Sequence, residues 1–452
     1  MNASTIADRR QGAATCKAAV AITILALVVR FGAIFALGDV LGFHAVSGSG
    51  GLAWSWGYEQ AAVAQSVAEG IGFADPFQKG TGATAWAAPA YPLILGALIK
   101  AFGGITVGVA WCLAIIQVLA ASLTCFFLWR LGRDLHSHGA GLIAAMLWAL
   151  HPMGIYLPVA LVWDSTLVAL AMTWFLASML ERGRSAPLGS IAWLGLGLGL
   201  TLLVNPAPLA LVPMMVWFYL RPRLGRSGAE GRFEAGSVRR IAVLLGVAFL
   251  TVSPWVLRNH VVLGTPQIRS NLGVELFVGN NDGAYGPFNG HMHPAYNDVE
   301  FARYKELGEV AYARDAGGRA AQWIQDHPGR FSTLTLTRVQ RFWLGPNPAA
   351  PIRLGDGSTR ERDAMGWIKW LTHAGFGLLA LVSLLTWNGR PGSHTVMRGA
   401  LMLFPLVYYV THVFERYRFP IEPIVTLAAA VLVLRLVCRA RGTVALPDGV
   451  EA

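Results

Sequence analysis

The acids best placed to do chemistry are Glu59 and Asp75, in a stretch from Trp54 to Pro92 that follows the first long apolar run. That stretch is too polar to cross a bilayer, and it combines carboxylates with Tyr58, Trp86 and Tyr91 and with turn-forming Gly and Pro. A third acid, Asp164, stands at the start of an apolar run opened by Trp163. Arg416 and Arg418 flank Tyr417 at the end of another run, where guanidinium groups can hold a phosphate bidentately. Arg30 lies well inside the first run, where an ionised side chain costs roughly 2.5–3.5 kcal/mol near the bilayer centre and therefore usually faces protein or water. Late in the chain Arg269, Asn271, Glu275 and Asn280, then His293, Asn297, Glu300, Tyr304 and Glu309, supply polar groups suited to carbohydrate, with Trp323, Trp343 and Trp367 available for stacking.

Each of these residues also has a plain structural reading. Glu59 fits the first turn of a helix over Tyr58 to Glu69, where negative charge meets the N-terminal dipole. Asp75 suits a turn before Pro76, and Asp164 an N-cap. The arginines at the ends of apolar runs can snorkel to lipid head groups, and the polar residues of the late segment equally suit a stable loop domain. His291 and His293 are a possible metal pair, but an i, i+2 pair without a neighbouring third ligand is a weak signal.

The elements that must position these groups follow from composition. Of 452 residues 54% are hydrophobic and 13% charged, and the apolar residues fall in long blocks, so the chain is a polytopic membrane protein of all-α class. The runs lie near 18–37, 106–129, 139–156, 161–180, 188–204, 209–220, 241–257, 368–387, 400–413 and 424–437, with a short interfacial helix from Tyr91 to Gly103. Asn205-Pro206-Ala207-Pro208 separates two of them, because Pro removes a backbone donor and disfavours helix before it.

The net charge of +11 comes from arginine clusters at the ends of apolar runs, which makes it a topology signal rather than a nucleic-acid site. Their alternation predicts about ten transmembrane helices with both termini inside. The expected division is an N-terminal membrane module over 1–257 with a first outer loop at 42–92, an outer domain at 258–366, C-terminal membrane helices at 367–437 and an inner tail at 438–452. The first outer loop should hold interfacial helices. The four cysteines fall in or beside apolar spans and offer no disulfide framework.

In this setting the chain resembles the GT-C superfamily of membrane glycosyltransferases that use polyprenyl-phosphate sugars. The resemblance is carried by Glu59, Ala64-Gln65, Gly70-Ile71-Gly72-Phe73, Pro89-Ala90-Tyr91-Pro92 and Phe102-Gly103, then His151-Pro152, Trp163-Asp164 and Glu415-Arg416-Tyr417-Arg418-Phe419-Pro420, in that order. It implies an active site at the outer membrane face with an acid of the first loop as base. Relatives of the aminoarabinose-transferase and protein O-mannosyltransferase type place an Asp where this chain has Trp56-Gly57, so the role shifts to Glu59, with Asp164 and Asp75 as further candidates. The Lys that precedes the Pro pair in aminoarabinose transferases is replaced here by Trp86-Ala87-Ala88.

The implied reaction moves a sugar from a polyprenyl-phosphate donor to a lipid, polysaccharide or protein acceptor. A carboxylate takes the acceptor proton, and cationic Arg416, Arg418 and Arg30 stabilise the phosphate. Tyr58, Tyr417, Arg269, Asn271, Glu275 and Asn280 are the expected substrate contacts. No cofactor is expected, with a divalent ion as the weaker alternative, and the partners are the lipid-linked donor, membrane lipids and the acceptor. A multi-pass position in the inner (plasma) membrane follows. A lipid-linked sugar transporter or flippase, or a non-catalytic lipid-binding protein, are the competing readings; the former calls for inverted repeats, which the sequence does not display.

Overall fold

The computed structural model describes residues 3–43, 56–220, 235–347, 352–353, 359–360, 364–387 and 393–441. Trp54 and Ser55 at the start of the first polar stretch lie outside the described residues, as do 221–234 of the arginine-rich loop and 442–452 of the expected tail. The fold is helical, with one two-residue antiparallel pairing of Ile352–Arg353 with Thr359–Arg360.

Helix α1 (Ala3–Leu37) is followed by α2 (Tyr58–Ala68) and α3 (Ala90–Ala101), the last being the short helix expected from Tyr91 onward. Then come α4 (Val107–Leu135), α5 (His138–Ala149), α6 (Pro152–Ala160), α7 (Ser165–Arg182) and α8 (Leu188–Val204). After a 3-10 turn over Ala207–Leu211 the chain forms α9 (Val212–Leu220) and the long α10 (Ala235–Leu263). Among the described residues five helices are long and apolar enough to cross a membrane, and the bent pair α5 and α6 makes a sixth if it is one span. The expectation of about ten spans is therefore not reached by length and composition. Apolar runs at 188–204 and 207–220 form shorter helices because the Asn205–Pro208 break interrupts them.

α4 is the hub of the apolar core and packs against α1, α5 and α7. Near the 47° bend between α5 and α6, Pro152 and Pro158 carry no N–H, so the carbonyls four residues before them, Trp148 O and Gly154 O, lack helical partners. Arg30 answers them: its Nε donates to Gly154 O at 2.9 Å and its Nη2 to Trp148 O at 3.0 Å, with Nη1 on Ala26 O at 3.1 Å. Its guanidinium is fully buried in this role, so the expected phosphate contact from Arg30 is not where the side chain goes. Buried Gln117 of α4 does the same at the end of α6, donating to Pro158 O and Leu161 O at 2.9 and 3.0 Å while accepting from the Tyr91 hydroxyl.

The late segment contributes α11 (Leu272–Gly279), α12 (Asp298–Leu307), α13 (Glu309–Asp326) and α14 (Pro328–Leu344). Its core of Val274, Phe277, Val278, Tyr304, Tyr312, Ala313 and Ala316 also takes in Phe77 and Trp86 from the first polar stretch, so the two polar regions share one interior. Glu309 at the start of α13 locks them together. Its carboxylate accepts from Ala85 N at 2.7 Å, Ser270 Oγ at 2.6 Å, the Tyr304 hydroxyl at 3.0 Å and Thr84 Oγ1. Arg258 adds bonds to the carbonyls of Thr84 and Phe73 at 2.6 and 2.9 Å. Burying so many polar groups is tolerable because each finds a partner.

The chain closes with α15 (Ala364–Thr386), α16 (Ser393–Leu403), α17 (Leu406–Val410), a 3-10 segment over Glu415–Ile421 and α18 (Glu422–Ala440).

Candidate active site

Stretches from across the chain meet around a cavity of about 440 Å³: the start of α2, Trp86 and Ala87, the turn before α7, the Asn205 break, the start of α11 with the loop after it, and the chain from α17 through the 3-10 segment. Glu59 reaches it from the first turn of α2, whose N-cap Gly57 adopts a left-handed conformation at φ 65°. Asp164 reaches it from the N-cap position of α7. Its side chain caps no backbone N–H there; instead it accepts from Asn205 Nδ2 at 2.9 Å, and Asn205 in turn caps the Pro206 turn through Ala207 N at 3.0 Å. The Asn205–Pro208 break thus serves to deliver an amide to the acid.

Across the cavity Arg269 donates from Nε to Trp86 O at 3.0 Å, and Asn271 Nδ2 donates to Glu275 Oε1 at 2.6 Å. The Arg416 guanidinium lies 3.9 Å from the Trp163 ring centroid and 4.4 Å from that of Phe414, sandwiched between aromatic faces. His412 stands behind, with Nε2 3.0 Å from the Tyr417 hydroxyl and 3.6 Å from Glu275 Oε2. His293 Nε2 is 3.9 Å from Glu59 Oε1. One wall is apolar: Pro206, Ala207, Leu209, Ala210, Leu272 and Val407 line it, and Leu209 and Leu272 are exposed at its rim.

Burial raises the Glu59 carboxyl above the ordinary carboxylate range, with Arg416 and Arg269 opposing the shift. Asp164 is raised by burial too, held back by the Asn205 hydrogen bond and the same two arginines. Glu275 goes up to about 7, burial being the main cause and the Glu59 charge adding to it against Arg269 and Arg416. His293 and His412 are both pushed down to about 3 by burial, so each imidazole is neutral at physiological pH and its approach to a glutamate is not an ion pair.

Of the twelve residues expected as base, phosphate contact or substrate contact, eight converge here: Tyr58, Glu59, Asp164, Arg269, Asn271, Glu275, Arg416 and Tyr417. Four do not. Asp75, at φ 54°, spends Oδ1 on Lys79 N at 2.9 Å and on Thr81, closing its own loop. Arg418 is fully buried against Glu422 at 2.5 and 2.8 Å and the carbonyls of Trp343 and His373 at 2.8 Å each. Asn280 bonds Leu276 O and Val410 O at 2.8 Å each, and Arg30 sits at the helix break. Arg418 lies two residues beyond Arg416, which on a tight 3-10 turn points it away from the cavity.

The His291 and His293 pair is split, His291 being exposed while His293 faces the cavity. Among the described residues no group of three or more His, Cys, Asp or Glu side chains is placed to hold a metal ion. Asn205 and His412, which sequence reasoning left without a site role, belong to the cavity. The Pro-flanked break around Asn205 was the available signal; His412 had none.

A helical membrane protein with a cavity of this kind can be set beside known proteins. Residues 90–257 match the sequence family described as dolichyl-phosphate-mannose-protein mannosyltransferase, and over this segment the chain is similar to GT-C glycosyltransferases, in agreement with the motif resemblance. The matched segment supplies Trp163, Asp164 and the Asn205 break, whereas Glu59 and the arginines lie outside it.

Among solved structures, the oligosaccharyltransferase of Archaeoglobus fulgidus in apo form is similar over 95% of this chain and 52% of its own, at 12% identity and TM-score 0.49. The same organism's enzyme with Zn and sulfate matches over 94% and 49% at 13% identity and TM-score 0.44. Its AglB complex with an inhibitory peptide and a dolichol-phosphate matches over 97% and 52% at 13% identity and TM-score 0.41. The chain thus spans about half the length of these structures. No curated protein matches the chain.

Proposed function

We propose that this protein is an inverting glycosyltransferase that moves a sugar from a polyprenyl-phosphate donor to a hydroxyl-bearing envelope acceptor, be it lipid, polysaccharide or protein. The observation that carries this reading is the presence in one cavity of the Glu59 and Asp164 carboxylates with the Arg269 and Arg416 guanidiniums, beside an apolar wall open at Leu209 and Leu272. A polyprenyl phosphate suits such a site: the arginines take its charge and the apolar wall its first isoprene units.

In the proposed reaction the acceptor hydroxyl attacks the anomeric carbon from the side opposite the phosphate. Its proton passes to a carboxylate, Glu59 first among the candidates, and the sugar–phosphate bond breaks with its electron pair going to phosphate oxygen. Because phosphate is a good leaving group, the reaction is proposed to need no metal. The reading also places the protein in the inner (plasma) membrane with the cavity on the outer side, residues 258–366 forming an outer domain. Mass spectrometry of the lipid retained by the purified protein tests the proposal: a polyprenyl-phosphate sugar is the expected ligand, and transport of such a lipid without any glycosyl transfer overturns it.

A further inference from the structure

Resting on that reading of the cavity, we propose that Asn205 is a positioning residue of the transfer reaction: pinned at the break after α8, its amide turns the Asp164 carboxylate into the cavity and keeps it charged. Asn205 is no part of the motif resemblance.

The first argument is the way Asn205 is fixed. Its backbone N–H closes α8 on Thr201 O at 2.9 Å, and its own conformation is extended at φ −160° and ψ 129°, so the helix ends on this residue. In Asn205-Pro206-Ala207-Pro208 the two prolines carry no N–H, which leaves Ala207 N as the backbone donor of the turn. Asn205 Oδ1 accepts from it at 3.0 Å. With the oxygen so placed the amide cannot be flipped, and Nδ2 is the atom that reaches Asp164 Oδ2 at 2.9 Å. An aspartate or a serine closes such a turn as well. Asparagine closes it and still extends an N–H to the acid.

The second argument is what Asp164 forgoes. An aspartate at a helix N-cap ordinarily accepts from the free backbone N–H groups of the first turn. Asp164 stands at the N-cap of α7 and makes no such bond; its carboxylate is turned to Asn205 and the cavity. Gln60, next to Glu59 on α2, brings a second side-chain hydrogen bond to it and leaves its own Oε1 buried without a partner among the described residues. Amide N–H groups favour the charged form of a carboxyl group over the neutral one. Arg269 and Arg416 face Asp164 too, as do the Tyr91 and Tyr408 hydroxyls. Amides from two separate elements thus fix the direction of one acid, and a carboxylate that meets a reacting hydroxyl needs a fixed direction.

Substitutions that keep the turn and change the donor test this in the full-length protein. Asn205→Asp retains the oxygen that accepts from Ala207 N but sets a second carboxylate against Asp164, so that the pair has to share a proton. The folded variant then holds a proton that the unfolded chain releases, and its thermal stability in detergent should fall relative to native as pH rises above about 4. Release of polyprenyl monophosphate in membrane vesicles of the native host, which hold donor and acceptor together, reads turnover. For Asn205→Asp it should drop at least about tenfold at neutral pH, with the acid limb of the pH profile moved upward by about one unit or more. The reciprocal pair, Asp164→Asn with Asn205→Asp, restores the hydrogen bond with the roles exchanged. It should recover most of the lost stability but not the turnover, because the charge then stands on the other side of the bond. Should Asn205→Asp fail to fold, Asn205→Ser closes the turn without reaching Asp164 and should move the acid limb the same way.

Native turnover with an unmoved acid limb in Asn205→Asp or Asn205→Ser overturns the proposal. Full recovery of turnover in the reciprocal pair does so as well, since it would make the bond a structural tie. Absence of any release by the native protein overturns instead the glycosyltransferase reading of the cavity, and the pH dependence of melting in Asn205→Asp still decides whether Asn205 holds a carboxylate that ionises.

Discussion

A Cβ on Gly57 would stand 2.6 Å from the carbonyl oxygen of Val162. This contact joins the start of α2 to the turn before α7, and so fixes Glu59 relative to Asp164, each two residues further along its own stretch. Gly57 also has a positive φ of 65°, where an L side chain costs roughly 1–2 kcal/mol. Gly57→Ala combines that strain with an overlap against backbone that cannot swing aside. We expect a loss of at least about 2 kcal/mol of stability, with turnover falling further as the two acids move apart. Thermal unfolding in detergent checks the first; an unchanged melting temperature would show that the contact is dispensable.

Glu59→Gln and Asp164→Asn separate the two acids. The residue that takes the acceptor proton should lose about 10²- to 10⁴-fold in turnover with donor affinity near native. Asp75→Asn, outside the cavity lining, should leave transfer within a few-fold of native. The base works ionised, and burial raises the Glu59 carboxyl, so activity should fall with decreasing pH above the ordinary carboxylate range. Should both cavity variants keep full turnover, the carboxylate mechanism has to be abandoned.

Arg416 and Arg418 should part company on mutation. Removing Arg416 or Arg269 takes away a charge-assisted contact of about 1.5–3 kcal/mol, or roughly ten- to a hundredfold in donor affinity. Arg418→Ala strands the buried Glu422 carboxylate and should destabilise the fold by about 3–5 kcal/mol. The decisive comparison is lipid-phosphate affinity in each purified variant. A stable Arg418→Ala protein with weakened donor binding would return Arg418 to the phosphate.

The side of the membrane is open to a labelling test. Ser332, exposed on α14, should react as Ser332→Cys with an impermeant thiol reagent applied to intact cells, above the background of the four native cysteines. Protection in intact cells but labelling after permeabilisation would put the late segment, and the cavity with it, on the inner side.

What the sequence determined by itself was the class and much of the site. Apolar blocks separated by arginine clusters leave only a helical membrane protein, since backbone polar groups in lipid must be satisfied within the helix. Asp164 and Arg416 were legible at the ends of apolar runs, Glu59 as an acid of the first polar stretch and Arg269 among the polar groups of the late segment. Tertiary structure decided which of them share a space. Arg30 and Arg418 have the same residue type and a similar setting at an apolar run, yet both are drawn into the interior by carbonyls freed at helix breaks or by a glutamate one turn away. The carbonyls of Trp148 and Gly154 are freed by Pro152 and Pro158, which stand four residues on and carry no N–H, but which side chain reaches them is settled only by packing. The partition of the late acids was likewise set by packing: Glu309 holds the polar regions together through Ala85 and Ser270, Glu300 pairs with Arg319 inside the late segment, and Glu275 faces the cavity. Their neighbours come from stretches more than a hundred residues apart or from another helix, and only folding brings donors to one carboxylate and turns another toward the cavity.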